Sequence, residues 1–202
     1  MMTDSTNQFL KTRLYFVHNW LLRAGENVNA EQFCHVFSQD APAIGWHLWH
    51  MARFADRLQS KLAHVTDGEI APEIWYHDNV SILWDVSAEK LGVFESGMGQ
   101  AHEDAQAIMT QVGQSATLHY AKTVFDRCNA RIKAIAEADF DNVYFGILDY
   151  GYDPETGVVW ATEPIESTVG QDLIFHVTHG SRHMGMMEAL TGLLGSAGTL
   201  SV

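Results

Sequence analysis

His176-Val177-Thr178-His179-Gly180-Ser181-Arg182-His183, near the end of the chain, and Trp46-His47-Leu48-Trp49-His50, far upstream, decide how the sequence reads. Five of the eleven histidines fall in these two short windows. His179 and His183 stand four residues apart, so on a helix they stack on one face about 6 Å apart along the axis. From there two imidazoles can reach one divalent metal ion. A third imidazole from the upstream window completes a three-histidine site with coordination positions left open, as catalytic rather than structural metal centres are built. Spacing leaves that third ligand open between His47 and His50, which are three apart and face broadly the same way on a helix.

The downstream pair is not the zinc-protease signature, because Gly180 stands where that motif needs its general-base glutamate. Gly180 and Gly185 each cost a helix interior about 1 kcal/mol relative to alanine, so both are expected to mark close backbone approach. Asp56, Asp172 and Glu188 are weaker candidates for orienting ligand rings; solvated helix positions are the commoner fate of such residues. Trp46, Trp49, Trp75, Trp84, Tyr76, Tyr144, Tyr150, Tyr152 and Trp160 are candidates for a pocket wall, with ordinary packing the expectation for most. No Gly-rich phosphate loop, nucleophile elbow or Ser-His-Asp set is visible.

Around the two windows, hydrophobic periodicity predicts four long helices. The first covers about 7 to 24, with Leu10, Leu14, Val17 and Leu21 on one stripe and Gly25 as its stop. The second opens at Pro42 and runs to about His64, through Leu48, Phe54, Leu58 and Leu62. The third spans about 117 to 137, through Val124, Cys128, Ile132 and Ile135. The fourth starts after Ser167 or Thr168, where Thr168 and Gln171 fit a capping box, and ends near Gly195. Between the second and third lies a long irregular stretch with short helices expected around 88–95 and 102–110. Between the third and fourth, Asp153-Pro154-Glu155-Thr156-Gly157 reads as a turn entering an extended segment at Val158-Val159-Trp160. The expected architecture is all-α: one domain over residues 1–202, a four-helix bundle with long decorated crossover loops, whose metal site sits between facing helices.

Composition narrows the function classes. With 202 residues the chain buries a substantial core, and 47% hydrophobic with 18% charged residues is ordinary for a globular protein. Twelve Lys and Arg against a net charge of −13 argue against a nucleic-acid partner, which needs clustered cations to displace phosphate counterions. No apolar run approaches the ~18 residues of a membrane span, and the polar N-terminus lacks the pattern of a signal peptide, so a cytoplasmic location is expected. Cys34 and Cys128 are too few and too scattered for a disulfide framework or a thiolate cluster.

Trp46-His47-Leu48-Trp49-His50-Met51-Ala52-Arg53-Phe54-Ala55-Asp56, taken with His176 to Gly185, resembles the DinB/YfiT-like superfamily. Its members are four-helix bundles in which one histidine of the second helix and a His-x-x-x-His pair of the fourth hold a divalent metal. The resemblance extends over most of the chain in helix order and spacing, with the specific matches confined to the two windows. It implies His50, His179 and His183 as the ligands. The related iron-binding domain of ergothioneine-synthesis enzymes has the same layout, and there a residue other than histidine can take the place of His47, which selects His50. His176 is then either a support behind the ligands or a buried structural histidine. Many members continue the last histidine as His-Arg-Gly-Gln, whereas this chain reads His183-Met184-Gly185-Met186.

The resemblance also implies chemistry. Three neutral imidazoles leave a divalent ion (Zn, Ni or Fe) its full charge and an open position, where a water or a thiol is drawn towards deprotonation at neutral pH. Characterised relatives include S-transferases and isomerases that use low-molecular-weight thiols. The expectation is therefore a metal-dependent enzyme acting on a small molecule with a thiol as co-substrate; a metal-dependent hydrolase, or a non-catalytic metal-binding or sensing dimer, uses the same parts. Bundles of this superfamily often pair, and Met184, Met186 and Met187 offer adaptable apolar surface, so a homodimer is expected.

Overall fold

The computed structural model describes residues 4–38, 41–146 and 149–196. It is mostly helical. The long helices are α1 (Asp4–Glu26), α3 (Ile44–Asp67), α6 (His102–Ala134) and α7 (Val169–Leu193), with short α2 (Ala30–Cys34), α4 (Ile74–His77) and α5 (Val80–Leu83) between them. β1 (Val143–Phe145) pairs antiparallel with β4 (Glu166–Thr168), and β2 (Tyr150–Tyr152) with β3 (Val159–Ala161), so one two-stranded pairing is nested inside the chain segment of the other. None of the helices described is long and apolar enough to cross a membrane.

The four long helices pack around one apolar core. α3 lies along α6 and α1 along α7, while α1 against α6 and α3 against α7 close the arrangement. Leu14, Val17 and Leu21 from α1 meet Leu48, Phe54, Leu58 and Leu62 from α3, with Val124, Phe125 and Cys128 from α6 and Leu173 and Met187 from α7. α3 is buried on nearly every side from Ile44 to Ala63, since the crossover between α3 and α6 covers the face that the long helices leave free. Its polar residues Arg53, Asp56 and Gln59 are therefore core residues rather than a solvated stripe, which corrects the surface expectation for Asp56.

Element ends differ from the sequence reading in instructive places. α1 runs through Gly25 to Glu26. α6 begins at His102 and joins the two expected segments across a break at Gly113, whose φ of 74° and ψ of 175° are not helical. Residues 88–95 form only a 3₁₀ turn at Ala88–Lys90, followed by positive φ at Gly92, Phe94, Glu95 and Gly97. The reason is buried charge. The Arg53 guanidinium, fully enclosed, donates to the carbonyls of Glu95 at 2.9 Å and Phe94 at 3.2 Å, which a helix would need for itself. Arg53 also pairs with Asp56 (3.2 Å) and Glu73 (2.8 Å). Asp56 in turn accepts from the backbone amides of Ile74 and Trp75, so it caps α4, and from the Tyr120 hydroxyl on α6. One ion pair thus ties α3, the crossover and α6 together.

At the other end of the chain, Thr168 forms the capping box with Gln171 that the sequence predicts. Because Thr168 is also the last residue of β4, the β1–β4 pairing sets where α7 begins. Asp172, in the first turn, accepts from the Tyr144 hydroxyl at 2.8 Å and the Ser167 hydroxyl at 2.7 Å. Of the three methionines offered for a dimer contact, Met187 is fully buried and Met184 packs partly buried against the core. A period of 3.6 carries consecutive residues of a helix to different faces, so a run of methionines does not make one surface.

Candidate metal centre

Gly180 is where α7 closes on α1. A Cβ there would lie 2.5 Å from Val17 Cγ1, far inside contact distance, so only glycine lets the helices meet at this height. Gly185 has open space around it and marks no close approach. With the backbone at 180 fixed in this way, His179 and His183 project from α7 towards α3, where His50 meets them.

The Nε2 atom of His179 lies 3.0 Å from Nε2 of His183 and 3.3 Å from Nε2 of His50. Ligand atoms of the three rings all lie within 4.8 Å of one another, and this is the one group of its kind among the described residues. Two imidazoles bound at about 2.0–2.1 Å to a tetrahedral ion stand roughly 3.3–3.4 Å apart, so the observed separations fit a shared metal. Two buried histidines and one half-buried, close together, could hold a metal ion.

The remote nitrogens are also arranged. His50 Nδ1 lies 2.6 Å from the Ser96 carbonyl, which only accepts, so His50 carries its proton on Nδ1 and turns a bare Nε2 to its neighbours. The Ser96 carbonyl can come this close because residue 97 is glycine. At a φ of 87°, a Cβ there would stand 2.8 Å from Trp46 Cζ2 and 3.2 Å from His50 Nδ1. A ring that ligates through Nε2 has its proton on Nδ1, and at that position His183 finds His47 Nδ1 at 2.9 Å as an acceptor. Trp46 stacks on the His50 ring at 4.7 Å and 11°, and its indole N–H donates to Gln100 at 2.7 Å. Phe54 meets His179 edge to face at 4.6 Å.

Electrostatics keeps these rings neutral. Burial, reinforced by the Arg182 guanidinium, lowers His47 and His179 to about 4. His50 and His183 are pushed well below the ordinary imidazole value, chiefly by burial and then by neighbouring rings. Neutral imidazole is the ligating form, so nothing need be deprotonated at neutral pH.

The structure therefore brings His50, His179 and His183 to one point, attaches His47 to His183, and leaves His176 apart. His176 faces His18 instead, with their Nε2 atoms 3.2 Å apart. Trp49 and Trp75 belong to the packed interior, with Trp84 half-buried against them; Trp75 meets Trp84 and Tyr120 edge to face, and Trp49 lies tilted against Trp75. Trp160 lies across Gly151 in the β2–β3 pair. Ser96, Gln100 and His18 escape the sequence reading. Only His18 carries a signal: it lies four residues after Leu14 and three before Leu21, on the apolar stripe where a polar residue is out of place.

No family model and no curated protein matches the chain. Among solved structures it is similar to a conserved protein from Enterococcus faecalis, with a TM-score of 0.66 and 14% identity over 97% of this chain and 100% of that one. At that identity the likeness concerns the fold alone, and it extends over the whole helical arrangement described above.

Proposed function

We propose that the chain is a DinB/YfiT-like four-helix bundle that holds one divalent metal ion on His50, His179 and His183. On this reading it is an enzyme of the thiol-dependent S-transferase type, acting on a small molecule. The observation that carries the metal assignment is the convergence of three neutral Nε2 atoms, with separations of 3.0 and 3.3 Å on His179. A bound ion supplies Lewis acidity there, favouring the deprotonated form of a coordinated water or thiol at neutral pH.

The protein's own part is to position and to shield. Ser96 and His47 hold the remote nitrogens of His50 and His183, so two of the rings are oriented before any ion arrives. Trp46 and Phe54 wall the rings with apolar surface that limits water and strengthens electrostatic interactions inside. His179 is the least buried of the three.

A non-catalytic structural centre needs a fourth protein ligand to close the coordination shell. His47 is the nearest histidine, and its Nδ1 is engaged by His183. This favours an open centre over a closed one. Elemental analysis of purified protein tests the metal assignment, with one Zn, Ni or Fe per chain as the expected result. Protein that takes up none of these after incubation overturns it. A turnover screen run with and without low-molecular-weight thiols then separates transfer from hydrolysis, which uses the same parts.

A further inference from the structure

Two imidazole nitrogens of α7 are buried with no hydrogen-bond partner among the described residues, Nδ1 of His176 and Nδ1 of His179. The residues are three apart, so both rings lie on one face of the helix with Cβ atoms roughly 5–6 Å apart. Which of these nitrogens carries a proton follows from their surroundings. His18 on α1 places Nδ1 2.8 Å from Oδ1 of Asn129 on α6, and an amide oxygen only accepts. His18 therefore donates from Nδ1 and presents a lone pair at Nε2. That lone pair faces His176 Nε2 at 3.2 Å, so His176 donates from Nε2 and its Nδ1 is a bare acceptor. Burial keeps both rings neutral, with His18 lowered to about 4 and His176 well below its ordinary value.

Aromatic contacts hold the His18 ring in place. It stacks on Phe125 at 4.3 Å and 6°, and meets His176 edge to face at 5.3 Å. At the other end, His179 turns Nε2 towards His50 and His183, and a ring that ligates through Nε2 bears its proton on Nδ1. One turn of α7 thus carries a buried donor without an acceptor beside a buried acceptor without a donor.

We propose that Asn129, His18 and His176 form a positioning relay for His179. It is closed by one buried water that accepts the proton of His179 Nδ1 and donates to His176 Nδ1. The relay rests on the metal reading above, since ligation at Nε2 is what places the His179 proton on Nδ1. A buried water between two polar nitrogens of opposite character is the ordinary way such groups are satisfied. With it, each ligand has an acceptor behind it: the Ser96 carbonyl for His50, His47 for His183, and the relay for His179. α1 and α6, which supply no ligand, then help to orient the centre.

The test compares zinc affinity, by competition with a chromophoric chelator, in the parent, His176→Leu, His176→Gln and His18→Phe. Loss of such a support weakens affinity about 10–100-fold. That loss is expected for His176→Leu and His18→Phe. His176→Gln, whose amide both donates and accepts, is expected within a few-fold of the parent. ¹⁵N signals of the zinc-loaded parent should show His179 protonated at Nδ1 and His176 at Nε2, a pattern that a merely space-filling role does not require. A high-resolution structure of the zinc-loaded parent should show an ordered water within hydrogen-bond reach of both Nδ1 atoms, and its absence overturns the relay even if a variant fails to fold. Leu and Phe variants that bind zinc like the parent overturn the relay alone. A parent that binds no zinc, nickel or iron overturns the metal reading and the relay with it.

Discussion

Alanine placed at two glycines of the same helix should have unequal effects on stability. Both Gly180→Ala and Gly185→Ala raise helix propensity by about 1 kcal/mol, because alanine loses less backbone entropy. At position 185 nothing lies within 4 Å of the new methyl, so the gain stands and the variant is expected to be about 0.5–1 kcal/mol more stable than the parent. At position 180 the methyl arrives 2.5 Å from Val17 Cγ1, against an optimum of about 3.5–4.0 Å. Val17 is fully buried and β-branched, hence stiff about χ1, so the strain falls on the α1–α7 packing. Overpacking of this kind costs about 1–3 kcal/mol, which at the least cancels the propensity gain. Since that gain is common to both variants, the difference between them isolates the overpacking. It should be about 1–3 kcal/mol, or several degrees in Tm at roughly 2–4 °C per kcal/mol. Urea unfolding followed by circular dichroism measures it. Val17→Ala in the Gly180→Ala background removes the clashing methyl, so the double variant should lose less than the two single changes summed. A Gly180→Ala protein as stable as Gly185→Ala refutes the close approach that sets the height of His179.

Three further outcomes are expected. His50→Ala, His179→Ala and His183→Ala should each leave near-zero metal per chain, whereas His47→Ala should retain most of it with affinity weakened about 10–100-fold; elemental analysis separates the sets, and a site emptied by His47→Ala but not by His50→Ala reassigns the ligand. Arg53→Met strands the Asp56 carboxylate in the core and should cost about 3–5 kcal/mol in denaturant unfolding; a loss under about 1 kcal/mol contradicts the clamp described for the crossover. In the metal-free protein, His18, His47 and His179 have folded-state values near 4 against 6.5 in the open chain, so unfolded protein takes up protons first as the pH falls. Stability should be full above about pH 6.5 and decline towards pH 4, by up to about 1.4 kcal/mol per pH unit for each such histidine, and equal urea midpoints at about pH 7 and 5 contradict this.

Much of the helical framework was legible because burial there follows periodicity. The stripes Leu10–Leu14–Val17–Leu21 and Leu48–Phe54–Leu58–Leu62 mark helices whose cores are where the pattern puts them. The Thr168–Gln171 capping box located the start of α7 to within one residue. What failed to read was set by contacts between distant segments. Residues 88–95 have unexceptional helix formers in Ala88, Glu89 and Lys90, yet the chain turns away because Arg53, some forty positions upstream, draws in the carbonyls of Phe94 and Glu95. Nothing local to either segment announces that pairing. Asp56 misled for the same reason: a carboxylate on a helix is normally solvated, and here backbone amides of α4 and the Tyr120 hydroxyl replace the water.

The candidate centre divides along the same line. Ligand types and spacings are local properties, so His179 and His183 could be read from one turn of helix, and His50 could be narrowed to one of two positions. Their orientation is not local. The acceptor behind His50 is a backbone carbonyl, Ser96, which any residue could supply, and it arrives through the loop that Arg53 holds and Gly97 permits. The group behind His183 is a histidine of α3, the same helix that carries His50. A sequence shows a histidine but not which of its nitrogens bears the proton, because that is decided by whichever partner the fold brings to the other side of the ring. The glycines follow this rule as well. Gly180 and Gly185 look alike in the chain, and only the neighbouring helix distinguishes the one that admits Val17 from the one that faces open space.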